Sequence, residues 1–113
     1  MNLYMFVFVA KPCSHNEYSK TLKSAYVHIW VFSESIESAE SRAKEYINSY
    51  SWNPESLEHA FEILPSMIPQ LGAAESRLYR LACQNGISAD FVASPLNDGS
   101  PDDPIRILPL ESK

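Results

Sequence analysis

Apolar and polar positions alternate along this chain with two different periods, and the switches between them lay out the elements. The run Leu3 to Ala10 (LYMFVFVA) has a period of two, with Leu3, Met5, Val7 and Val9 on one side and Tyr4, Phe6 and Phe8 on the other. A second run, from about Ser24 to Phe32, sets Ala25, Val27, Ile29 and Val31 against Tyr26, His28, Trp30 and Phe32. Both runs are apolar on both faces, which predicts strands that need cover on both sides of their sheet. Residues 11–23 are polar and begin with Lys11 and Pro12, so the two strands form a hairpin with a long tip.

From about Ser35 to Ser49 the period changes to that of a helix. Ile36, Ala39, Ala43, Tyr46, Ile47 and Tyr50 fall on one face. Ser33 or Ser35 can cap its start, and Glu40 and Lys44 are spaced to pair on its wet side. A third strand is predicted near Leu57 to Leu64, with Leu57, His59, Phe61 and Ile63 inward and Glu58 and Glu62 outward. Pro65 and Pro69 bracket a turn with a short helical piece. A second helix from about Ala73 to Asn85 carries Ala74, Leu78, Leu81 and Ala82 as its stripe, with Gly86 in the place of a left-handed cap. A fourth strand, with Ile87, Ala89, Phe91 and Ala93 opposed to Ser88, Asp90 and Ser94, follows directly.

The order β-β-α-β-α-β predicts an α+β fold, a two-layer α/β sandwich of ferredoxin-like character, although the usual repeat of that fold runs βαββαβ. Residues 1–94 form the single domain, and 95–113 form a Pro-, Asp- and Ser-rich tail. Within the tail, Ile105 to Leu108 can add a short edge strand. The 113 residues suffice for one domain with a real core.

With both helices on the aliphatic face, the other face would expose an aromatic centre of Tyr4, Phe6, Phe8, Tyr26, His28, Trp30 and Phe32, flanked by Glu58, Glu62, Ser88 and Asp90. Six aromatic rings at roughly 200 Å² each, a third to a half of it open, leave about 400–600 Å² exposed. That is the upper end of the largest patch on a monomer, and a ring-rich centre with a polar rim has interface anatomy. A homodimer through this face is the leading expectation, with the tail folded across it as the alternative.

Charge narrows the partners. A net charge of −5 and a pI near 5.1 disfavour nucleic acid and anionic membrane, because phosphate binding needs clustered Lys and Arg. The absence of that basic surround also argues against bases stacking on the aromatic sheet. The N-terminal apolar run is too short to span a bilayer, and Cys13 and Cys83 make no disulfide framework, so the expectation is a cytoplasmic protein.

Candidate chemistry is sparse, and no P-loop, GxGxxG, HExxH or GxSxG pattern occurs. Cys13 and His15 are too few for a tetrahedral metal site, so no metal and no cofactor are expected. Cys83, near the stripe of the second helix, reads as core. His28 with Tyr26 and Trp30 could line a small-ligand or proton-transfer pocket, the enzymatic alternative to a binding protein. Glu34, Glu37, Glu40 and Glu45 make the first helix acidic, which suits a solvated face or docking to a basic protein in the manner of an immunity protein. Arg77, Arg80 and Gln84 on the second helix, and Lys11, Lys20 and Lys23 in the hairpin tip, are too thinly spread for a phosphate site.

Overall fold

A computed structural model describes residues 1–16, 22–95 and 105–107. The chain is a small α+β domain built on one antiparallel sheet. In chain order the elements are β1 (Asn2–Pro12), β2 (Leu22–Ser33), α1 (Ile36–Ser49), β3 (Trp52–Ile63), a 3-10 turn (Pro65–Gln70), α2 (Ala73–Asn85), β4 (Ile87–Pro95) and β5 (Ile105–Ile107). The strand order is β3-β1-β2-β4-β5. The β1–β2 hairpin therefore forms the centre, which suits two strands apolar on both faces. No ferredoxin-like order results, because the central neighbours are consecutive strands with no crossover between them.

The helices lie on opposite faces, which corrects the expectation that both cover one. Ala39, Ala43 and Ile47 of α1 pack with Tyr4, Phe6, Phe8, Ala25, Val27, Ile29, Val31, Ala89, Phe91 and Trp52. The other face holds a smaller cluster in which Leu78 and Ala82 of α2 meet Leu3, Trp30 and Ile63, with Met5, Phe32, Met67, Ile68 and Leu71 at its margin. α1 and the sheet make a full two-layer sandwich, while α2 and the 3-10 turn cover only one end of the second face. Two-sided apolarity in β1 and β2 is thus answered by one helix per face.

Local chemistry explains the helix ends. Ser35 caps α1, its Oγ accepting the Ser38 N–H at 3.1 Å. The α1 chain leaves through Ser51, a non-glycine residue at φ 65°. Gly72 opens α2, its N–H donating to Glu75 Oε1 at 3.1 Å, half of a capping box. Gly86 closes α2 in the left-handed region at φ 83°, and its N–H reaches the Ala82 carbonyl at 2.7 Å. The small side chains of Ala39 and Ala43 bring α1 close to the sheet, and Ser88 Oγ ties β4 to α2 by donating to the Leu78 carbonyl at 2.6 Å.

β3 begins at Trp52, well before the expected Leu57, and Pro54 lies inside it. Proline is tolerated because β3 is an edge strand. The β1–β3 ladder slips twice, between Val7 and Phe8 and between Val9 and Ala10. The pairs Val7–His59 and Phe8–Leu57 leave Glu58 as an extra residue, and Val9–Ser56 and Ala10–Pro54 leave Glu55 as another. The bulge at Glu58 turns Leu57 to the α1 face, whereas His59, Phe61 and Ile63 stay on the α2 face, so the predicted single row of four is broken. β5 pairs with β4 where the sequence allowed a short edge strand. The remainder of the expected tail beyond Pro95, and with it the reading that the tail covers a sheet face, lies outside the described residues.

Candidate functional site

The register of the central hairpin divides the seven predicted aromatic-face residues. Tyr4 stands opposite Val31, Phe6 opposite Ile29 and Phe8 opposite Val27. Directly opposed residues share a face. Tyr4, Phe6 and Phe8 therefore join the aliphatic side of β2 beneath α1, all buried. Tyr26, His28, Trp30 and Phe32 remain together on the α2 face, but their surroundings differ. Trp30 is 1% exposed beneath α2, and Phe32 packs at the margin of the same cluster. A continuous aromatic face does not form, because a one-residue shift of register exchanges the whole set of side chains. The long hairpin tip left that register unspecified in the sequence.

What stays open is the half of the second face beyond α2. Tyr26 is 54% exposed and Phe61 40% exposed, with Met5, Val9, His28 and Val92 half-buried around them. His28 sits opposite Asp90 on β4 and opposite Val7 on β1. Asp90 is buried, as is Ser88, so neither forms the polar flank that the sequence suggested. Glu62 is opposite Tyr4 and so belongs to the α1 side, while Glu58 is the bulged residue. The rim of the patch is made instead by Ser24, Ser56, His59 and Lys11. With Trp30 sealed under α2, the pocket imagined from Tyr26, His28 and Trp30 reduces to Tyr26 and His28 on an open sheet.

The Cys13–Asn16 turn is clamped to the end of α1. Cys13 N–H donates to the Ser51 carbonyl at 2.9 Å, and Asn16 Nδ2 donates to the same oxygen at 2.8 Å. His15 Nε2 lies 3.2 Å from Ser51 Oγ. Asn16 Nδ2 also reaches the carbonyl of Tyr50, the α1 C-cap, at 3.4 Å, so the turn satisfies a carbonyl that the helix end leaves free. Cys13 is half-buried and Cys83 is exposed, so the reading of Cys83 as core is corrected. The helical stripe turns Leu78 and Ala82 inward, and Cys83 lies one position beyond them. Among the described residues no group of three or more His, Cys, Asp or Glu side chains could hold a metal ion.

Two phenols are held neutral by their surroundings. Burial, then the hydrogen bond and charge of Tyr50, pushes Tyr46 well above the ordinary tyrosine range. The Tyr50 hydroxyl donates to Tyr46 Oη at 3.5 Å, the two rings meet edge-on, and Tyr50 in turn meets Phe91 edge-on at the end of α1. A hydrogen bond with the Cys83 thiol raises Tyr79. Tyr46 lies on α1 and Tyr79 on α2, and these contacts bring no acid and base together.

Of the predicted acidic docking residues, Glu37 is exposed on α1, Glu34 is exposed just before the helix and outside it, and Glu40 is bound to Lys44 at 3.2 Å as its spacing foretold. A second acidic line runs along β3, of which the sequence suggested only Glu58 and Glu62, as a polar flank. Glu55, Glu58 and Glu62 are all exposed along one sheet edge that contains no Lys or Arg. Proline inside a strand together with repeated glutamates marks an edge, and that signal was available at Pro54.

No family model matches the chain, and no curated protein or solved structure matches it. No helix among the described residues is long and apolar enough to cross a membrane.

Proposed function

We propose that this chain is a small non-enzymatic interaction protein that associates with a second copy of itself through the uncovered half of the α2 face. The observation that carries the reading is the exposure of Tyr26 and Phe61 on a sheet surface otherwise made of Met5, Val9, His28 and Val92. Rings at the centre and polar groups at the rim suit an interface. Among the residues whose side chains are described, the centre holds no exposed carboxylate, Lys or Arg, so two copies can meet there without repulsion.

Size limits the strength of this association. Four strands at about 4.8 Å and five residues at about 3.4 Å give a footprint on the order of 300 Å². A stable interface buries roughly 800 Å² per partner. The dimer is therefore weak, or it extends over the neighbouring Leu64 and Met67. Light scattering from micromolar to millimolar protein tests the reading. The mass should rise towards twice the monomer, with little dependence on salt. The double variant Tyr26→Asp/Phe61→Asp should remain a folded monomer. A wild-type mass that stays monomeric at the highest concentration would overturn the proposal.

A further inference from the structure

A different surface, the outer edge of β3, has the chemistry of a binding site for another protein. β3 spans twelve residues, about 40 Å, and pairs on one side with β1. Among the described residues no strand pairs with its outer side. From Asn53 to Glu62 every residue but the half-buried Pro54 is exposed, so side chains of an added strand would find room above and below the sheet. Leu57 on the α1 face and Phe61 on the α2 face offer an apolar contact on each side.

Charge decides what can lie along this edge. Glu55, Glu58 and Glu62 give it three carboxylates. Lys11 approaches Glu55 only at 4.0 Å, and Glu58 and Glu62 form no ion pair among the described residues. A second copy is the poorer occupant, since it brings three more carboxylates to an edge that already carries three. An antiparallel β3–β3 pair centred between Glu58 and His59 sets Glu55 against Glu62 twice, and one centred on Glu58 sets it against itself. Like charges directly opposed are destabilising. The chain's own C-terminal segment is also a poorer occupant. Residues 96–113 carry Asp98, Asp102, Asp103 and Glu111 against Arg106 and Lys113, and are interrupted by Pro101, Pro104 and Pro109.

We propose that the β3 edge adds an extended, Lys- or Arg-bearing segment of a partner protein as a further strand. Main-chain hydrogen bonds would supply the affinity, and pairing with Glu58 and Glu62 the selectivity. This site shares Phe61 with the self-association surface, but the free strand edge, Glu58 and Glu62 are not part of that surface, so either can fail alone. The simpler role for the same glutamates is protection of an exposed edge from aggregation.

The test uses three fluorescent ten-residue peptides at low salt: one alternating Lys with Val and Thr, its Glu-for-Lys counterpart, and the Lys peptide with two central prolines. Polarisation should show binding of the Lys peptide alone. Amide shifts in ¹⁵N spectra of the full chain should concentrate at residues 53–62. Glu58→Lys/Glu62→Lys should weaken the Lys peptide roughly tenfold or more, while circular dichroism confirms the fold. Equal binding of the proline peptide, shifts centred on α1, or no binding would each overturn the proposal, the last leaving the edge a protective one.

Discussion

Trp30 shows how far the role of one side chain depends on register. On an open aromatic face it would anchor a partner, but beneath α2 it is core. Its indole Nε1 has no acceptor among the described residues. Replacement by Phe forfeits no hydrogen bond, so Trp30→Phe should cost less than about 1.5 kcal/mol, whereas Trp30→Ala should cost about 3–5 kcal/mol. Urea denaturation of both variants checks this, and similar losses would show that the indole N–H matters. Tyr46 makes a pH-dependent prediction. Its folded pKa lies above the unfolded value near 10 because of burial and Tyr50. The unfolded chain therefore releases this proton first as pH rises. The stability involved is whole below about pH 10 and is lost on rising through the folded pKa. Tyr46→Phe should flatten the fall of Tm above pH 10, and parallel Tm curves for the two proteins would contradict the assignment.

At the scale of elements, capping and turn chemistry were legible, and pairing was not. Ser35, Gly86 and the Glu40–Lys44 pair are local, and their roles follow from a few neighbouring residues. Gly86 gives the sharpest check. An added Cβ would meet a left-handed backbone and lie 3.4 Å from Arg42 Nη2. Gly86→Ala should therefore destabilise by about 1–2 kcal/mol; an unchanged midpoint would show that α2 ends differently. All four long strands and both helices could be placed from periodicity. The faces of β1 relative to β2 could not, since register is fixed by pairing across a long hairpin tip. The start of β3 was also hidden, because its bulges break the alternation that announces a strand. The candidate surface was misjudged for the same reason, with Tyr26 and His28 retained and Tyr4, Phe6 and Phe8 transferred to the core.

For the whole molecule, one sheet shared by two cores predicts cooperativity. Ile29 and Val31 face α1 while Trp30 between them faces α2, so neither layer can loosen without disturbing the same backbone. The two tryptophans report the layers separately, Trp52 in the α1 cluster and Trp30 in the α2 cluster. Trp30→Phe and Trp52→Phe proteins, each with one remaining indole, should unfold with fluorescence transitions that coincide with circular dichroism. Ile47→Ala and Leu78→Ala, on opposite sides, should each lower a single Tm, by about 2–5 kcal/mol of stability. Two resolved transitions would instead mean that the layers melt independently.

The paired bulges of β3 also bear on how this domain can change length. Loss of a residue from a strand ordinarily turns every side chain beyond it to the wrong face. Here Glu55 and Glu58 stand outside the alternation, so omitting either leaves Pro54, Ser56, Leu57 and His59 facing as before. A one-codon deletion at Glu58 should give a folded protein, while the same lesion at Ile29, in the bulge-free β1–β2 ladder, should not. β3 is thus the strand in which insertions and deletions can accumulate while both cores persist.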